Sequence, residues 1–114
     1  MLVEGRGYAP DGKLVFNAFG QIVYDPGTKL YSFQTQAMGY SGVAAVKLIP
    51  DGYIWESPAG PGAVMRYTTT LKDGIWHEVG ERVAGNAPPM RTFEMTLKRI
   101  GDTQWPAADP VPMK

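Results

Sequence analysis

Few residues in this chain are of the types that do chemistry. His77 is the one histidine among 114 residues, and there is no cysteine. Thiolate nucleophiles, disulfides and cysteine-ligated metal centres are therefore excluded. A single imidazole with scattered carboxylates lacks the ligand spacing of a zinc site. His77 is a candidate axial haem ligand, but an isolated histidine is more often a packed or surface residue. We therefore expect no cofactor and no metal.

Two short segments come close to catalytic motifs. The segment GYSG at 39–42 has its second glycine one position too early for a nucleophile elbow, and no helical pattern follows it. The segment GRG at 5–7 is half of a dinucleotide fingerprint, again without a helix behind it. The sequence therefore predicts a protein that is not an enzyme.

Charge is balanced and dispersed. The chain has 11 Lys and Arg against 11 Asp and Glu, and neither sign forms a block. Binding to nucleic acid depends on clustered cationic side chains, so we expect no nucleic-acid partner. No basic-then-apolar leader opens the sequence, and no apolar run approaches the length of a membrane span. These features predict a cytoplasmic protein without a membrane partner.

The elements that must position any site are β-strands. The 14 glycines and 10 prolines fall between apolar runs that alternate with period two, which is typical of short strands joined by turns. Tight-turn sequences occur at 11–12, 51–52 and 73–74 (Asp-Gly) and at 25–27 (Asp-Pro-Gly). Eight strands are predicted, at Leu2–Tyr8, Leu14–Tyr24, Leu30–Met38, Val43–Ile49, Tyr53–Ser57, Val64–Leu71, Ile75–Val83 and Arg91–Ile100.

Consecutive hairpins predict an all-β, antiparallel, up-and-down meander. Closing such a sheet removes its two exposed edges, so a closed or nearly closed barrel is the simplest architecture. The chain then divides into one barrel domain over residues 1–104 and a Pro-rich tail over 105–114. Trp105 is a candidate for pinning this tail to the barrel or to a neighbouring subunit.

Four phrases of the sequence carry a resemblance. GKLVFNAFGQIVYDPGTKLYSF, KLIPDGYIWE, KDGIWHEVGE and FEMTLKRI occur in this order along the chain. Together they resemble a family of uncharacterised bacterial proteins with a lipocalin-like, calycin-type β-barrel, from Glu4 to about Trp105. The resemblance implies small-molecule binding by analogy of fold. Family members enter their first strand through Gly-x-Trp, whereas this chain starts almost inside that strand. One barrel end is then expected to stay open or to be covered by dimerisation.

Side-chain alternation predicts which residues meet in the barrel interior. The interior is expected to be rich in aromatic residues and methionine, with few polar groups. It is either a ligand cavity or a filled core, because an eight-stranded barrel is only just wide enough for one small ligand. Glu81 is expected either to contact a polar ligand or to pair with Arg91 or Arg99. The predicted ligand-binding residues are Tyr31, Phe33, Trp55, Met65, Tyr67, His77, Glu81, Phe93 and Met95.

The sequence thus favours non-enzymatic binding of a small, largely apolar ligand inside a calycin-like barrel. The alternative is an interaction or scaffold module with a filled core, which works through its outer face and its tail. Apolar residues on both faces of the second strand support this alternative, since one set must face outward. A homodimer is therefore predicted. The two sets are Val15, Phe19 and Val23 against Leu14, Phe16 and Ile22.

Overall fold

The computed structural model describes residues 1–102, and all eight predicted strands are confirmed there. No helix occurs within this range. The largest difference from the predicted bounds is at the fourth strand, which begins at Tyr40 instead of Val43. The strands are β1 (Leu2–Tyr8), β2 (Leu14–Asp25), β3 (Leu30–Ala37), β4 (Tyr40–Ile49), β5 (Gly52–Pro58), β6 (Ala63–Lys72), β7 (Ile75–Ala84) and β8 (Met90–Lys98).

The strands form one antiparallel sheet in the order of the sequence, from β1 to β8. This confirms the predicted up-and-down meander. The sheet curls strongly into a half-barrel, in which β1 pairs with β2 alone and β8 with β7 alone among the described strands. Both edges therefore stay open, and the curled sheet has a concave inner face and a convex outer face.

Two-residue turns fix the register of the hairpins. Met38 and Gly39 have φ angles of 51° and 85°, and Asp73 and Gly74 have 51° and 74°. Positive φ at both central residues is the hairpin turn whose twist matches the flanking strands. In the β4–β5 hairpin the turn lies one residue earlier than its Asp-Gly sequence suggests. Ile49 pairs with Gly52, so Gly52 already belongs to β5.

Gly52 is required in β5 by a close approach of backbones. A Cβ atom there would overlap the carbonyl oxygen of Thr69 and lie 3.0 Å from the Cα atom of Thr70. Backbone atoms cannot move aside as a flexible side chain can, so only glycine fits at this pairing of β5 with β6.

The half-barrel has little enclosed core. Among hydrophobic residues only Phe33, Tyr53 and Ala63 of the described chain are buried, and Thr69 is fully buried beside them. The Cα radius of gyration is 15.5 Å, against about 13 Å for a compact domain of this length. A single curled layer explains both the small number of buried residues and the large radius of gyration, because a sheet needs a second layer to bury its whole inner face.

The Pro-rich tail predicted over 105–114 and the contact predicted for Trp105 lie outside the described residues. Within residues 1–102 no helix is long and apolar enough to cross a membrane.

Candidate binding surface on the inner face

Aromatic side chains form a continuous row across the inner face. Phe33 on β3 meets Trp55 on β5 edge to face, with ring centroids 5.0 Å apart. Trp55 stacks on Tyr67 of β6 at 4.3 Å with an interplanar angle of 13°. Tyr67 in turn meets Phe93 of β8 at 6.4 Å. We call these four residues the aromatic row. Such pairs contribute about 0.5–1.5 kcal/mol each beyond the area they bury.

Small residues on the intervening strands let the row span β4 and β7. Ala44 of β4 pairs directly with Phe33, so little side chain separates β3 from β5 there. Gly80 of β7 pairs with both Tyr67 and Phe93. A Cβ atom on Gly80 would lie 3.0 Å from the Cβ atom of Phe93 and 3.1 Å from Cε1 of Tyr67. The aromatic rings therefore close over the position that this glycine leaves empty.

A polar group lies beside the aromatic row. Thr69 of β6 is 0% exposed, and its hydroxyl donates a 2.6 Å hydrogen bond to Oε2 of Glu78 on β7. The two residues are direct cross-strand partners. Burial raises the pKa of Tyr53 to about 12, against a lowering by the Thr69 hydroxyl, and the charge of Glu78 raises it as well. Burial and the charge of Glu78 also raise the pKa of Tyr67. Glu78 therefore lies on the same face of the sheet as both tyrosines.

Two indole N–H groups on this face are buried and have no hydrogen-bond acceptor in the described chain. They belong to Trp55 and Trp76. Trp76 meets Tyr53 edge to face, with centroids 6.4 Å apart. A buried N–H without an acceptor costs free energy, so a molecule that supplied an acceptor there would be favoured.

Seven of the nine predicted site residues share the inner face. Tyr31 is the outlying member, because its aromatic contact is with Tyr24 at 4.8 Å. Met65 and Met95 flank the row through their pairing with Ser57 and Glu78. The seven residues are Tyr31, Phe33, Trp55, Met65, Tyr67, Phe93 and Met95. That these residues bind a ligand remains a prediction.

The prediction that His77 and Glu81 point into the interior was wrong. Both lie on the outer face: His77 Nε2 contacts Glu94 Oε1 at 3.0 Å, and Glu81 lies opposite Arg66 and Arg91. The two-residue turn at 73–74 pairs Lys72 with Ile75, so Trp76 and Glu78 share the face of Leu71 and Thr69. The sequence analysis missed these two inner residues, although a two-residue Asp-Gly turn sets the register that places them on this face.

The outer face of β5 to β8 is a row of alternating charges. Direct cross-strand partners run from Glu56 to Arg66, from Arg66 to Glu81, and from Glu81 to Arg91. Arg66 Nε bonds Glu56 Oε1 at 2.7 Å, and Glu94 accepts from Arg91. The hydrogen bond with His77, followed by the charge of Arg91, lowers the pKa of Glu94. This surface is well solvated and pairs its own charges.

The outer face of β1 to β4 differs in chemistry. Phe19 and Val43 are exposed there, and a side-chain hydrogen bond of 2.7 Å joins Gln21 to Gln34 between them. These residues line a shallow groove of about 360 Å³. A second groove of about 410 Å³ runs from β1 to the turn at Gly39. Both grooves lie away from the aromatic row.

No three His, Asp or Glu residues of the described range lie close enough together to hold a metal ion. The chain matches no family model, no curated protein and no solved structure. The half-barrel is compatible with the lipocalin-like fold that the sequence resembles.

Proposed function

We propose that this protein binds a small, largely apolar molecule on the inner face of the half-barrel, without catalysing a reaction. The observation that carries the proposal is the aromatic row, which lies on an open concave surface. Binding sites for small molecules are typically concave and lined by apolar and aromatic side chains with few placed polar groups. The lipocalin-like resemblance and the curled meander point the same way, by analogy of fold.

The inner face is suited to an apolar ligand because it is almost uncharged. Among its described strand residues only Glu78 and Arg82 carry charge, and both belong to β7. The large side chains of the row cannot bury one another completely in a single layer. An apolar molecule laid against them would remove further surface from water, at about 25 cal/mol per Å² of apolar area.

A thermal-shift titration with 1-octanol tests this proposal. A ligand that binds only the folded chain stabilises it by mass action, about 2.7 kcal/mol at a hundredfold excess over Kd. We expect the melting temperature to rise with octanol in the wild type and in Phe19→Leu, which changes the outer face. In Trp55→Leu the rise should be lost. An equal response in both variants, or none in the wild type, would refute binding at the aromatic row.

Self-association is the second candidate function, and the outer face of β1 to β4 favours it. Phe19 is 53% exposed there, and Val15, Val23 and Val43 are exposed on the same side. These apolar side chains are interspersed with Asn17, Gln21 and Gln34, and such a mixed exposed surface supports an interface between copies of the chain. The proposed occupant is a second copy of the chain. Sedimentation should then give a dimer for the wild type and a monomer for Phe19→Glu, whereas a monomeric wild type would refute it.

A further inference from the structure

Two charged residues of the inner face, Glu78 and Arg82, flank Gly80, which pairs with Tyr67 and Phe93 of the aromatic row. On the inner face of the described strands Glu78 is the one carboxylate, and its direct neighbours are Thr69 on β6 and Met95 on β8. Thr69 is fully buried and donates its hydroxyl to Oε2 of Glu78. This hydrogen bond holds the carboxylate in place on a face that carries few charges.

Glu78 has no cationic partner within ion-pair distance among residues 1–102, in contrast to two carboxylates on the outer face of β5 and β8. Glu56 has Arg66, and Glu94 has both His77 and Arg91. A half-buried carboxylate loses part of its hydration and is compensated best by a cation or by several hydrogen-bond donors. Thr69 supplies one donor to the Glu78 carboxylate, whose oxygens can accept further hydrogen bonds.

The surroundings of Glu78 also suit a cation. Its strand neighbour on the inner face is Trp76, its diagonal neighbour on β6 is Tyr67, and Tyr53 pairs with Thr69 on the far side of that residue. The faces of aromatic rings attract ammonium groups, and this attraction strengthens when the cation is desolvated. A carboxylate with tryptophan and tyrosine as neighbours on the same face is thus complementary to an alkylammonium or arylammonium group.

We infer that Glu78 is the polar anchor of the inner-face site, and that the preferred ligand is an apolar molecule carrying a protonated amine. This inference rests on the proposed function, since the apolar part of the ligand would lie on the aromatic row. The amine donates to the free oxygen of Glu78, and Thr69 holds the carboxylate in position.

Calorimetric titration with three probes of equal chain length tests the inference: octylamine, 1-octanol and octanoate, at pH 7. Octylamine is then a cation and octanoate an anion. A hydrogen bond between two charged groups is stronger than one to a neutral hydroxyl, so octylamine should bind at least about tenfold more tightly than octanol. In Glu78→Gln, whose amide oxygen still accepts from Thr69, this advantage should disappear while octanol binding is unchanged.

Two variants serve as matched controls. Glu81→Gln removes a carboxylate from the outer face of the same strand, and it should leave all three affinities unchanged. Arg82→Gln removes the cation of the inner face and should preserve the preference for octylamine.

The outcomes separate this inference from the proposed function. Equal binding of octylamine and octanol to the wild type would overturn the role of Glu78 and leave apolar binding intact. Tightest binding of octanoate, lost in Arg82→Gln, would overturn it in favour of an anionic ligand. Binding of none of the three probes would overturn the proposed function itself.

Discussion

The two halves of the meander use the same hairpin architecture for different surfaces. In the C-terminal half, β5 to β8, three members of the aromatic row cover the inner face and paired charges cover the outer face. In the N-terminal half, β1 to β4, the outer face carries exposed apolar residues. Its inner face combines larger side chains, such as Ile22, Tyr24 and Tyr31, with several small residues, among them Gly5, Ala18, Gly20, Gly42 and Ala44.

The two halves therefore differ in how far their side chains pack against one another. Side chains of the C-terminal half find partners within the half, whereas those of the N-terminal half mostly face solvent. There are two exceptions: Tyr24 contacts Tyr31 within the half, and Phe33 reaches over β4 to Trp55 and is 8% exposed. The C-terminal half therefore contributes most of the stability, and the N-terminal half offers surface for association.

Truncating one aromatic side chain in each half should give the largest difference in the free energy of unfolding. Trp55→Ala removes the ring that touches both Phe33 and Tyr67, and we expect a loss of about 3 kcal/mol in the free energy of unfolding. Phe19→Ala in the N-terminal half should cost less than about 1 kcal/mol, because the ring is mostly exposed. Urea denaturation measures both. Equal losses would show that the two halves are stabilised alike.

Adding one methyl group to a glycine of each half gives the next largest effect. Gly52→Ala places a Cβ atom against the backbone of β6, and we expect destabilisation of about 2 kcal/mol. Gly42→Ala meets no heavy atom within 4 Å, so its effect should stay within about 0.5 kcal/mol. Thermal unfolding compares the two variants. A larger loss for Gly42→Ala would contradict the tight pairing of β5 with β6.

The third test compares two threonines of the inner face. Thr69→Val keeps the shape but leaves Glu78 without its donor, so we expect a loss of about 1.5 kcal/mol. Thr35→Val in the N-terminal half changes a side chain for which no hydrogen bond occurs in the described structure, and its cost should be smaller. Chemical denaturation at pH 7 distinguishes them. If Thr69→Val were neutral, the carboxylate would not depend on this hydroxyl.

The smallest effect is expected at Glu94 on the charged outer face. Its pKa lies below the ordinary value of 4.5, so its stabilisation is complete above pH 4.5 and is lost as the pH falls through the lowered pKa. The stability difference between wild type and Glu94→Gln should therefore narrow as the pH drops from 5 to 3. Denaturation midpoints along this series measure it. A constant difference would mean that neither His77 nor Arg91 stabilises the ionised Glu94 in the folded chain.

Most of the fold follows from the sequence because turn chemistry and alternation agree. Asp-Gly and Asp-Pro-Gly sequences separate apolar runs of period two, and eight strands in order are the consequence. Whether the sheet closes into a barrel cannot be predicted from the sequence in the same way. Whether the curl carries β1 around to β8 depends on twist accumulated over the whole sheet, which no local pattern specifies.

The site is predictable for strands with a clear apolar face and not for β7. In β3, Tyr31 and Phe33 alternate with Ser32 and Gln34, so the inner face is evident. In β7 each face carries both apolar and charged residues, and hydrophobicity alone cannot choose between Trp76 with Glu78 and His77 with Glu81. Register decides instead, since a two-residue turn places Trp76 opposite Leu71.

Binding of an apolar ligand on the inner face, beside the aromatic row, can be observed directly by NMR. A ¹H–¹⁵N spectrum of the full chain resolves the indole groups of its three tryptophans, and the side-chain amides of Gln21 and Gln34 report on the outer groove. On titration with 1-octanol we predict saturable shifts of the Trp55 and Trp76 indole signals and unchanged glutamine amides. Shifts confined to the glutamine amides, with both indole signals unmoved, would contradict binding on the inner face.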